Sequence, residues 1–195
     1  MTIVFVLLLL VLAGAFFSLA EISLAASRSV RLEMLAKEGN LAAKRVLHLQ
    51  DQPGHYFTVV QIGLNGVAIL AGAVGESSIT PSLEPLAALV LPPEYAGSVA
   101  SSVAFLAVTL LFVVLADLVP KRLALLAPER IALVVAPPMT LLMRLLHPLV
   151  WAIDAIASTV LRVAGAPERR REEITVDEIV ALADAATRAG TLLAE

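Results

Sequence analysis

From Ile3 to Ala20 the chain runs without a single charged residue. At 1.5 Å of rise per residue, such a run makes a helix close to the thickness of a bilayer's hydrocarbon core, about 30 Å. Two further runs share this character. Tyr56–Gly75 (YFTVVQIGLNGVAILAGAVG) is uncharged but holds Gln61 and Asn65, and Ser98–Ala116 is uncharged until Asp117 ends it. Hydrophobic residues make up 59% of the chain and charged residues 16%, against about 25% charged in soluble domains. A surface with so few charges needs lipid as its solvent. The expected fold is therefore an all-α membrane protein with spans at about 3–24, 56–75 and 98–117. The first run lacks a basic segment before it and exceeds the roughly 7–15 apolar residues of a signal-peptide core, so it reads as a mature span.

Charge placement orients these spans. All 14 Lys and Arg fall within Arg28–Arg45 or from Lys121 onward. Positive residues stay on the cytoplasmic side, which puts the N-terminus outside, the Pro- and Ser-rich 76–97 loop outside, and Lys121 inside. The basic stretch 28–50 has a helical pattern and reads as an amphipathic helix or helical pair along the inner face. Ile131–Gly165 is apolar enough to span, yet a single crossing would carry Arg169, Arg170 and Arg171 outside. The expectation is zero net crossings, with juxtamembrane helices over about 125–165 broken at Pro137-Pro138 and near Pro148. Residues 1–165 form the transmembrane domain on this reading. Residues 166–195 form a cytoplasmic linker whose helix starts at a capping box, Thr175 to Glu178, and leads toward a further domain.

Polar groups at bilayer depth are costly and default to function. Asn65 offers a neutral, hard oxygen between Gly63 and Gly66; the alternative is an interhelical hydrogen bond. Ser18, Glu21 and Ser23 close the first span as an oxygen cluster. Ser18 and Ser23 are five apart, so they share a face only across an unwound turn or a π-bulge. Otherwise the serines back-bond to the preceding turn and Glu21 marks the interface. Asp117 points either to water or to a cation, with Lys121 its partner or snorkelling to headgroups. Pro120 removes the N–H that would otherwise serve the Ala116 carbonyl. These donors are all oxygen, which suits Mg²⁺ or Ca²⁺ and argues against Zn²⁺ or copper. His48, His55 and His147 have no ligand-like spacing and read as surface histidines, and Tyr56 and Trp151 as interfacial anchors. With no cysteine, thiolate sites and disulfides are excluded. No nucleophile–base set, phosphate-cradling glycine loop or nucleic-acid-binding patch is visible, so the chain reads as no enzyme.

At FFSLAEISLAASRSVRLEMLAKEG, TVVQIGLNGVAIL and ADLVPKRLALLAPERIA the sequence resembles the CorC / cyclin-M (CNNM) family of Mg²⁺ transporters, over about residues 1–165. The resemblance implies a homodimer in the cell (inner or plasma) membrane, three spans per subunit and a cytoplasmic C-terminus. It also implies nucleotide-binding CBS domains beyond residue 195, so that nucleotide would bind only there. By matching position it makes Ser18, Ser23, Asn65 and Asp117 the ion ligands, with carbonyls near Leu19 or Gly63 and the Glu21 side chain as weaker ones. The family usually has Glu where this chain has Asp117, one methylene longer. The implied function is Mg²⁺ efflux, with Na⁺ entry as the coupling. The alternative is a non-transporting scaffold that anchors and dimerises cytosolic sensing domains; a passive channel is a third option.

Overall fold

The computed structural model describes residues 2–164, all of them in helices or short connections; the expected helix from Thr175 lies outside them. The helices are α1 (Thr2–Ala26), α2 (Ser29–Lys37), α3 (Leu41–Gln50), α4 (Pro53–Ala87), α5 (Pro93–Phe112), a π-helical turn (Val113–Leu118), α6 (Val119–Leu126) and α7 (Pro128–Val163). Among the described residues, four stretches are long and apolar enough to cross a membrane: Ile3–Ala26, Pro53–Ala87, Pro93–Leu126 and Pro128–Val163. The chain divides into one unit up to Val150 and another from Trp151, whose described part is the end of α7.

In the first unit α1 packs against α4 on one side and against the π turn and α6 on the other, while α4 packs against α5. Small residues set these approaches. A Cβ at Gly63 would stand 2.1 Å from Phe17 Cζ, and one at Gly14 would stand 2.7 Å from Phe112 Cζ and 2.9 Å from Ala116 Cβ. The larger core joins Phe17, Ala20 and Leu24 of α1, Val46 and Leu49 of α3, Val59 and Val60 of α4, and Val135, Ala136 and Met139 of α7. Phe5, Leu8, Leu9 and Leu12 on α1, and Leu106, Leu110 and Leu111 on α5, remain exposed. That is the outward face of a protein whose solvent is hydrocarbon. The chain is a multi-pass membrane protein.

The basic stretch 28–50 is a helical pair. Gly39 takes φ +93°, where only glycine sits without strain. Asn40 then caps α3, its Oδ1 accepting from the N–H groups of Ala42 (2.9 Å) and Ala43 (3.1 Å).

Three expectations about the elements change. The 76–97 loop is mostly helix, because α4 runs on to Ala87 through Pro81 and Pro85. The hydroxyls of Ser77, Ser78 and Thr80 turn back onto the Val74 and Glu76 carbonyls of their own helix, and packing of α4 on α5 holds the continuation. Second, α7 is unbroken at Pro137-Pro138 and at Pro148. Each proline removes one backbone bond and frees a carbonyl four residues back; the Thr140 hydroxyl donates to a different one, the Pro137 carbonyl, at 2.7 Å. Ala132, Val135, Ala136 and Met139 bury that stretch of the helix in the core as well. Packing outweighs local propensity here. Third, Tyr56 is no interfacial anchor: it is fully buried, and its hydroxyl donates to the Ala20 carbonyl at 2.7 Å.

Candidate functional site

The irregularity of the backbone marks the place. Between α5 and α6 the helix widens into a π turn over Val113–Leu118, with the Val119 N–H bonded to the Val114 carbonyl five residues back. Pro120 cannot donate in the normal register, and one extra residue per turn is the economical way to continue the helix past it. Asp117 lies in this turn. The sequence reading located the possible π-bulge on α1, between Ser18 and Ser23; α1 is instead a regular α-helix.

Asp117 Oδ1 accepts a hydrogen bond from Ser18 Oγ at 2.9 Å and lies 2.8 Å from Lys121 Nζ, one helical turn on. The same ammonium lies 3.1 Å from Glu21 Oε2. Ser18 is fully buried, while the side chains of Glu21, Asp117 and Lys121 are 26%, 30% and 29% exposed. Glu21 Oε2 is itself buried, and the Lys121 ammonium is the one polar partner of this carboxylate among the described residues, which leaves it acceptor capacity to spare. Two carboxylates on α1 and the π turn thus share one primary ammonium, with a hydroxyl fixing one of them. That set carries a net charge of −1 and keeps an unspent acceptor, so it can accept a further cationic group.

Of the four residues expected to converge, the structure joins Ser18 and Asp117 directly. Ser23 is fully buried in α1 and its Oγ turns to the Ala20 carbonyl at 3.4 Å. Asn65 is exposed on α4 and hydrogen-bonds none of the described residues. Gln61, one turn before it, is exposed as well. Lys121 was visible as a possible partner of Asp117, but its bridge to Glu21 was not, since α1 and α6 meet only in the fold. Gln50 escaped notice altogether. Its Nε2 donates to the Leu24 and Ser27 carbonyls, both at 3.1 Å, and so ties α3 to the end of α1. Nothing in the spacing of a lone glutamine signals that role.

Membrane-length helices gathered around a partly buried ionic cluster of Glu21, Asp117 and Lys121 define a polytopic membrane protein with a charged centre between its helices. The chain belongs to the cyclin M family: the domain described as "Cyclin M transmembrane N-terminal domain" matches residues 5–195. It is similar to the polyamine export protein of Escherichia coli K12, 43% identical over 189 residues, which is 97% of this chain and 42% of that protein. A polyamine export protein of Haemophilus influenzae is 40% identical, over 94% of this chain and 42% of the relative. A UPF0053 protein of Synechocystis is 39% identical, over 96% and 42%. The chain thus spans less than half the length of these relatives.

Proposed function

We propose that this chain is the membrane domain of a cation exporter whose cargo is an organic amine cation of the polyamine class. The observation that carries this is the ammonium of Lys121 held between Glu21 and Asp117. A primary ammonium is the chemical group at each end of a polyamine, and the cluster has the oxygens and the charge to hold one. The names of the relatives point the same way. Cargo would engage Asp117 and the unspent Glu21 oxygen while Ser18 holds the Asp117 rotamer. A site with two carboxylates and one built-in cation binds weakly enough to release what it carries, which transport requires.

Mg²⁺ is the second reading, favoured by the all-oxygen donor set of Ser18, Glu21 and Asp117 and by the resemblance to Mg²⁺ transporters. It requires Lys121 to withdraw, because an ammonium and a divalent ion cannot share Asp117 Oδ1. Ser23 and Asn65 would join that set only after rearrangement of α1 or α4. Na⁺ is the coupling ion to examine in either case.

The topology that serves this reading has three crossings, with α7 lying along the inner face. Arg31 of α2 approaches Glu129 of α7 to 3.9 Å. His147 lies about 27 Å further along α7 at helical rise, yet it shares a cleft with His48 of α3, and α2 and α3 pack on each other. Two meetings with one layer so far apart support a course of α7 along that layer. The N-terminus is then outside. Homodimerisation would cover the Gln61 and Asn65 face of α4, where two carboxamides in an apolar span need partners.

The test is flux in proteoliposomes of the full-length protein, loaded with radiolabelled putrescine or with Mg²⁺ and a fluorescent reporter, with and without an inward Na⁺ gradient. Putrescine flux reduced at least tenfold by Asp117→Asn and by Glu21→Gln supports the reading. Mg²⁺ flux alone, lost in the same variants, favours the second reading. Flux of neither cargo sinks both and leaves a scaffold.

A further inference from the structure

The chain has three histidines, which the sequence scatters and the fold collects. His48 near the end of α3, His55 in the first turn of α4 and His147 on α7 line one cavity of about 230 Å³ together with Arg144. Buried Leu49 and Val150 contribute apolar surface to it. No Asp or Glu is among the lining residues. A metal ion fits poorly: among the described residues no group of three or more His, Cys, Asp or Glu is disposed to hold one, and the guanidinium of Arg144 repels a cation. An anion fits well.

We infer that this cleft binds a phosphate-bearing anion at the membrane face, independently of any cargo. Arg144 and His147 stand three residues apart and so project from one side of α7, and His48 faces them from α3. The planar guanidinium matches phosphate oxygens in a two-pronged fashion. Each imidazole donates an N–H to an anion in either charge state. Arg144 makes no hydrogen bond or ion pair with the described residues. His55 has a further interaction of its own, which leaves Arg144, His147 and His48 as the principal donors. The volume is below the roughly 300–1,000 Å³ of sites for drug-sized ligands, so it suits a headgroup or an inorganic anion rather than a nucleotide. The apolar wall would receive the carbons attached to a headgroup phosphate. A lipid headgroup and free phosphate share this chemistry, and the experiment separates them.

Full-length protein in detergent is titrated with short-chain phosphatidylglycerol, with inorganic phosphate and, as the zwitterionic control, with short-chain phosphatidylcholine; binding is read by native mass spectrometry and thermal shift. Phosphatidylglycerol binding that inorganic phosphate does not reproduce identifies a headgroup site. Binding of inorganic phosphate, alone or in competition with the lipid, identifies a free-anion site. Either is expected to weaken at least tenfold in Arg144→Gln/His147→Gln and to weaken in His48→Gln. Lys37→Gln, an exposed basic position on α2 that does not line the cleft, should bind as the wild type does. The substituted side chains are exposed, so the variants keep their packing, and their ligand-free melting temperatures verify this. Neither anion binding better than phosphatidylcholine overturns the inference, as does undiminished binding in the double variant or an equal loss in Lys37→Gln.

Discussion

Lys121 is the residue on which the cluster turns. Its ammonium neutralises one of two partly buried carboxylates and orients the other. Lys121→Met leaves both without a counter-ion. For fully buried pairs, removing one partner costs about 3–5 kcal/mol; at roughly a third exposure the expected loss is about 1–2 kcal/mol. Thermal unfolding of the variant in cation-free buffer should show it as a lower melting temperature. Without its built-in cation the cluster has two uncompensated carboxylates, so saturating putrescine should add more stability to Lys121→Met than it adds to the wild type. Equal or smaller stabilisation of the variant would speak against an amine-binding cluster. Ser18→Ala removes the buried donor to Asp117, a charge-assisted bond worth about 1.5–3 kcal/mol. Its expected signature is weakened cargo binding with α1 still packed.

Helices here are held by contacts that propensity would not predict. α7 carries three internal prolines and remains one helix, because its small and apolar residues are locked into the core shared with α1, α3 and α4. Gly14 matters to the site through geometry: it lies one turn before Ser18 and lets α1 approach Phe112 and Ala116. Gly14→Leu would push α1 off the π turn. Overpacking of this kind costs about 1–3 kcal/mol, and the Ser18–Asp117 bond should lengthen or break with it. Binding assays should then find Gly14→Leu as defective as Ser18→Ala, although residue 14 touches no charged group. In the juxtamembrane pair, Asn40→Ala removes the cap of α3 and should cost about 1 kcal/mol, with transport affected little. Chemical denaturation of the purified variants would measure both effects. The sequence showed the helical pattern of 28–50, and the Gly39-Asn40 break is legible in hindsight from ordinary capping chemistry. The continuation of α4 past Gly75 was not legible, since Pro81 and Pro85 are strong local stop signals that packing against α5 overrides.

For the molecule as a whole, the proposed topology makes a direct prediction. The chain has no cysteine, so single introduced thiols report sidedness without background. Glu33→Cys on α2 and Thr159→Cys near the end of α7 should react with a membrane-impermeant maleimide from one side, and Val90→Cys, between α4 and α5, from the other. Labelling of residue 159 from the side of residue 90 would show that α7 crosses the bilayer and that the chain spans it four times. What the sequence by itself determined is the solvent: the free energy of placing each side chain in lipid belongs to that side chain, so long uncharged runs announce membrane-length helices without any knowledge of contacts. What only the tertiary structure decided is which polar groups meet. Ser18 and Asp117 are separated by 99 positions, and His48 and Arg144 by nearly as many, and no local property of either partner encodes the other. Their pairing depends on how closely two helices approach, which is set by glycines and aromatic rings distributed along both.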